Sequence, residues 1–229
     1  GLSHQFRETL TGSIALAGTY AEETDAAGKR TDVALSVPMA ITEDKRDNKL
    51  DPTAGWRALV SLEPTYEFNR GDAYLTARGQ ISAYRALDAS GRFVIAGRVG
   101  AAGILGADLE DLRPSQRLYA GGGGSVRGYA YKSLAPTLEN GAMGGSSLIE
   151  ASLEMRMRIT PTIGIVPFVD AASVGGGDWP DTSEVKVGAG LGLRYYTALG
   201  PLRLDVATPL SGRDGQDSVS FYVGLGQAF

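Results

Sequence analysis

Apolar and polar residues alternate with a period of two along almost the whole chain. In its final stretch Val219, Phe221, Val223, Leu225 and Phe229 fall on one face, and Ser218, Ser220, Gly224, Gly226 and Ala228 on the other. From Val185 onward Val185, Val187, Ala189, Leu191, Leu193 and Tyr195 oppose Lys186, Gly188, Gly190, Gly192 and Arg194. Further back Ile149, Leu153, Met155, Met157 and Ile159 oppose Glu150, Ser152, Glu154, Arg156 and Arg158. A period of two belongs to strands whose two faces meet different surroundings. It predicts ten strands, at about 5–20, 30–42, 54–68, 73–86, 92–105, 146–160, 163–173, 185–197, 201–209 and 218–229. No helical period competes, and no apolar run approaches the ~20 residues of a membrane helix.

Several of these strands exceed the usual 5–6 residues of soluble sheets and suit the ~9–11 tilted residues that cross a bilayer. Alternation alone allows two placements. In a soluble barrel the apolar face is the core; in a membrane barrel it meets lipid and the polar face lines the lumen. Two features favour the membrane placement. The apolar faces carry many Ala and Gly, a poor dry core, and the polar face at Gly188, Gly190 and Gly192 invites something to pack closely on it. Turns are short at 160–162 and 198–200 and long at 21–29, 106–145 and 174–184, as expected when one rim carries the long loops. Two connections break that rule, the short 69–72 and the long 43–53.

Composition adds exclusions. The 229 residues include 32 glycines, one histidine (His4) and no cysteine, with a net charge of −4. The balance leaves no basic footprint for nucleic acid. Disulfides, thiol catalysis and Cys- or multi-His metal sites are ruled out. A mean hydropathy close to zero is what alternating strands average to. His4, beside no acid, reads as a polar lumen or rim residue. No cofactor and no metal site are expected.

The longest loop reads Arg117-Leu118-Tyr119-Ala120-Gly121-Gly122-Gly123-Gly124-Ser125-Val126-Arg127-Gly128-Tyr129. A phosphate-binding loop fails, because no Gly-Lys-Ser/Thr and no helix come after it. A bland glycine linker fits poorly with Leu118, Tyr119, Val126 and Tyr129 inside it, and long ordered loops are usually functional. Gly188 to Gly192 only mimics a dinucleotide fingerprint. Glu150, Glu154 and Asp170 could form a glycosidic carboxylate pair, but lumen-facing charge paired with Arg127, Arg156 or Arg158 accounts for them better. No Gly-x-Ser-x-Gly elbow occurs, and no enzymatic activity is expected.

At this loop the sequence resembles the BamA/TamA-type outer-membrane assembly and translocation barrels, the bacterial surface antigen family. Val126, Arg127, Gly128 and Tyr129 match the Val/Ile-Arg-Gly-Tyr/Phe tip of that family's inserted loop. Tyr119 to Gly122 before it and Tyr131 to Pro136 after it are closer to the TamA branch than to the BamA branch. Asp44 to Gly55, Gly144-Gly145 with Ser152 to Glu154 and Phe168 to Asp170, and Gly190 to Tyr195 with Gly200 to Asp205 resemble further family stretches in the family's order.

The resemblance implies an antiparallel transmembrane barrel of sixteen strands, of which residues 1–229 supply the C-terminal portion without POTRA domains. Residues 106–145 become an extracellular loop folded into the lumen. Its glycines Gly121, Gly122, Gly123 and Gly124 let it pass close to the wall. Arg127 at its tip meets Glu154 and Asp170, and Tyr129 packs against Gly188 to Gly192. Phe221, Val223, Leu225 and Phe229 form a C-terminal assembly signal on the lipid face. The implied function is insertion or export of client proteins, such as autotransporters, in the outer membrane of a Gram-negative bacterium. Implied partners are outer-membrane lipid and lipopolysaccharide, client outer-membrane or secreted proteins, and a periplasm-spanning TamB-like protein reached through N-terminal domains. The alternatives are an anchor or translocation barrel for a fused or partner passenger, and a passive pore.

Overall fold

The computed structural model describes residues 1–26, 28–180, 184–211 and 219–229. Among these, thirteen strands form one antiparallel sheet. They are β1 (Leu2–Arg7), β2 (Leu10–Ile14), β3 (Ala17–Asp25), β4 (Gly28–Ser36), β5 (Met39–Asp44), β6 (Ala54–Glu67) and β7 (Asp72–Ala86). β8 (Phe93–Leu105), β9 (Ser147–Arg158), β10 (Ile163–Gly175), β11 (Lys186–Thr197), β12 (Gly200–Pro209) and β13 (Ser220–Leu225) complete it. From β5 onward each strand pairs with the next in sequence, and no described pairing joins β13 to β1.

Burial matches the alternation, inverted from a soluble protein. On β10, Gly164, Val166, Phe168, Asp170 and Ala172 are buried, whereas Ile163, Ile165 and Val169 are exposed. Across the sheet the exposed face carries Ile81, Ile95, Val99, Leu153, Leu191, Leu193, Leu204 and Val206. The buried face carries Arg98, Glu154, Arg156, Arg194 and Asp205. Hydrophobic side chains outside and ion pairs inside are stable only when lipid surrounds the wall.

The N-terminal third departs from expectation. The strand predicted over 5–20 is cut at Glu8-Thr9, so that β1 and β2 form a hairpin with a register irregularity between Gln5 and Arg7. No Gly, Pro or Asn marks that turn, so the pattern carried no breaker there. Past it, β2–β3 and β4–β5 form one long ribbon. The register of β2 on β5 (Ile14 opposite Met39) continues in β3 on β4 (Ala17 opposite Ser36), and both β4 and β5 pair with β6. The interruption falls at Pro38, which has no N–H for the ladder; its carbonyl still accepts from Ala15 at 2.9 Å. The loop expected over 21–29 is therefore mostly strand, since β3 runs to Asp25 and β4 starts at Gly28. His4 lies on the outer face, edge-on to Phe6 at 4.8 Å, and not in the lumen.

The strand predicted over 218–229 is shorter than expected. β13 ends at Leu225, and Ser218 lies outside the described residues. Gly226, at φ +84°, turns the chain inward. Phe221, Val223 and Leu225 stay exposed on the outer face. Phe229 does not join them: its ring sits inside, 6.3 Å from Tyr84 and within 5.6 Å of the Arg98 and Arg156 guanidinium carbons. Simple parity carried through a left-handed glycine fails, because such a residue reverses the facing of the residues after it.

Candidate functional site

Residues 106–146 join β8 to β9 and fold against the inner face. Leu112, Leu118, Ala120, Val126 and Tyr129 of this loop make one buried cluster with Tyr74, Ile104, Leu148 and Ala172 of the wall. Isolated bridges, Leu118 to Gly145 and Ala120 to Leu134, stiffen it. Its entry is fastened by ion pairs to the β3–β4 hairpin: Arg113 to Glu23 at 3.3 Å and to Asp32 at 3.2 Å, and Arg117 to Asp25 at 2.9 Å.

The tip carries a buried cluster of charges. The Arg127 side chain is 2% exposed and sits among three carboxylates that are fully shielded from solvent. Its Nε and Nη2 donate to the two oxygens of Asp170 at 2.7 and 2.9 Å, a bidentate fork. Nη1 donates to Glu154 at 2.9 Å and to Asp205 at 3.0 Å. The Arg127 backbone N–H adds a bond to Asp170 at 3.1 Å. The guanidinium lies 3.4 Å from the centroid of the Phe168 ring, a face a planar cation can stack on. Alternation explains the convergence: Glu154, Phe168 and Asp170 are inward residues of β9 and β10, and Phe168 is directly opposite Glu154 in the ladder.

Asp205 on β12 ends one of the family-like stretches, but the sequence pattern does not assign it to the loop tip. It pairs across the ladder with Gly192, and it also accepts from Arg194 at 2.5 Å. Its place opposite a glycine of the polar face was the available signal. Arg156 supplies Glu154 with a second cation at 2.9 Å. Glu150 accepts instead from the Ser125 hydroxyl in the loop, and Arg158 pairs with Asp51 at 2.6 Å. Each of these carboxylates is therefore engaged by a donor.

The inner glycines each admit a different neighbour. At Gly188 a Cβ would stand 2.0 Å from the Arg127 carbonyl oxygen and 3.4 Å from Val126, so this position receives the loop tip. Gly190 admits Phe168, and Gly192 admits Arg194 and Asp205. Tyr129, expected over this run, reaches past it: its hydroxyl donates to the Ser211 carbonyl and lies 3.2 Å from that of Val187. Gly128 has φ +103°, and a Cβ there would strike the Thr208–Pro209 backbone. Gly121 and Gly122 also have positive φ, and Gly123 and Gly124 complete the passage.

At the opposite end Asp47 organises the β5–β6 connection. Its carboxylate accepts from the Thr53 hydroxyl at 2.6 Å and from the N–H groups of Asn48, Thr53 and Ala54. Partial burial acts to raise its pKa, but these bonds outweigh it and hold the carboxyl below its ordinary value. Nearby, Gln227 donates to Asp51 at 2.8 Å and accepts from Arg194 at 3.0 Å. The same connection thus braces the inturned C-terminal segment.

A sheet with lipid-type residues outside, ion pairs inside and a long loop fastened to the inner wall defines a transmembrane β-barrel of the outer-membrane class. The Omp85 superfamily domain matches residues 1–229, and the chain belongs to that superfamily. Outer membrane protein assembly factor BamA of Nitratidesulfovibrio vulgaris is 31% identical over 206 residues, which covers 83% of this chain and 25% of the relative. The crystal structure of BamA from Haemophilus ducreyi lacking POTRA domains 1–3 superposes with a TM-score of 0.79 at 22% identity, over 96% of this chain and 52% of that one. The chain thus spans a quarter to about half the length of these two proteins. The protein resides in the outer membrane of a Gram-negative bacterium.

Proposed function

We propose that the protein is an assembly and translocation factor that inserts or exports client outer-membrane and secreted proteins along a seam of its barrel wall. The observation that carries this reading is the Arg127 cluster: three acids from three strands hold a loop across the inner face. A lumen occupied in this way is a poor aqueous channel. A strand edge, by contrast, offers backbone N–H and C=O groups that can template an incoming strand. The TamA-like character of the loop flanks narrows the proposal to autotransporter-type clients and a TamB-like periplasmic partner. Contact with lipid and lipopolysaccharide belongs to the same reading. The loop acts by binding and positioning rather than by bond chemistry.

The test uses the full-length protein in lipid vesicles, with and without an unfolded autotransporter barrel as client. Accelerated client folding that is lost in Arg127→Ala is expected. Equal folding rates with and without the protein would overturn the reading. The passive-pore alternative predicts a large steady conductance with the loop in place, whereas the plugged barrel predicts little.

A further inference from the structure

Strand β13 is held both by its ladder with β12 and by the loop tip inside the wall. It has six residues, and among the described residues it pairs only with β12. Tyr222 is the inward residue at its middle. The Tyr222 hydroxyl accepts the Gly128 N–H at 3.0 Å and donates to the Tyr129 carbonyl at 3.0 Å. One hydroxyl thereby uses its donor and a lone pair on two adjacent residues of the loop tip. Ser220, also inward, donates to the Gly128 carbonyl at 3.4 Å. The Tyr222 ring lies so close to Gly123 that a Cβ there would come within 2.9 Å of it. The neighbouring residue, Arg127, is the one tied to β9, β10 and β12. Two adjacent residues of the tip therefore grip the interior wall and the last strand.

We propose that Tyr222 is a positioning residue that couples the loop tip to β13, so that release of Arg127 from its acids and loosening of β13 from β12 occur together. Gln227 and Phe229 anchor the segment beyond β13 independently, so the coupling acts on the half of β13 nearest the loop. A loop that leaves the lumen would thus free a strand edge in the same step. That consequence rests on the assembly reading for its purpose, whereas the coupling is a property of this chain alone.

The experiment is hydrogen–deuterium exchange on the full-length protein in lipid nanodiscs. Tyr222→Phe keeps the ring against Gly123 and removes both hydroxyl bonds. It should speed exchange about tenfold in both 220–225 and 121–130, as expected from losing two bonds of modest net strength, and leave β8 and β9 unchanged. Tyr195→Phe, on the outer face of β11, should change neither segment. Arg127→Lys should speed exchange in 220–225 in the wild-type background and add little once Tyr222→Phe is present, because coupling is reciprocal. Gly123→Ala, which drives a methyl into the ring, must give the same paired response should Tyr222→Phe not insert. Exchange that rises in one segment only, rises in β8 and β9 equally, or multiplies in the double variant would overturn the coupling. Client folding measured on the same variants separates the two claims. Paired exchange changes with unaltered client folding would leave the coupling standing and remove its purpose in assembly, whereas equal client folding with and without the protein would sink the assembly reading alone.

Discussion

Removal of Arg127 has a cost that can be worked from its neighbours. Of the three acids it holds, Glu154 keeps Arg156 at 2.9 Å and Asp205 keeps Arg194 at 2.5 Å. Asp170, 1% exposed, accepts all its described side-chain bonds from Arg127. Arg127→Ala therefore strands one buried carboxylate and weakens two. Breaking one side of a buried pair typically costs about 3–5 kcal/mol, which lowers the docked population of the loop roughly a hundred- to several-thousand-fold. Asp170→Ala leaves Arg127 with two carboxylates, and its penalty should be smaller. The double variant Arg127→Ala with Asp170→Ala should be more stable in its docked form than Arg127→Ala alone, because no unpaired buried charge remains. The assay is urea titration of the protein in vesicles combined with proteolysis of residues 106–146, which separates loop release from barrel unfolding. Additive effects of the two substitutions, or a loop as protected in Arg127→Ala as in the wild type, would refute the reasoning.

Three further outcomes are expected. Val223, 82% exposed on the outer face, should cost about 2–4 kcal/mol as Arg if it sits near the bilayer midplane; water-accessible labelling of a cysteine at 223 would reverse the face assignment. Gly188→Ala places a methyl 2.0 Å from the Arg127 carbonyl oxygen, so the loop should become protease-sensitive while the barrel melts near the wild-type temperature, and unchanged proteolysis would count against the close approach. Asp47 has a folded pKa below its unfolded value, so its contribution is present above the ordinary carboxylate range and is lost as pH falls through the lowered value; the protection factors of the Thr53 and Ala54 amides, corrected for the intrinsic pH dependence of exchange, should fall on acidification and should be low and pH-insensitive in Asp47→Ala, and protection that is the same in the variant would count against the bonds.

Much of this architecture is legible in the residues themselves. Alternation assigns Glu154 and Asp170 to the face opposite Leu153 and Val169, because successive side chains of a strand must point to opposite sides. It assigns the inner glycines on β11 in the same way. The Arg-Gly-Tyr tip flanked by glycines marks a loop built for close approach. Local periodicity could not supply whatever depends on where the chain bends or which distant strand comes near. The hairpin at Glu8-Thr9 lacks a breaker residue. Phe229 leaves its predicted face because a single φ at Gly226 redirects the last three residues. Asp205 joins the cluster because β12 lies two strands from β10, a neighbourhood set by ladder order. Tyr222 meets Gly128 across more than ninety positions of sequence. The sequence by itself determined the face of nearly every strand residue, since the pleat is a local property of the backbone. Only the tertiary structure decided which inward charges share a partner, since that depends on the curvature of the whole sheet and on the path of a loop held by contacts far apart in the chain.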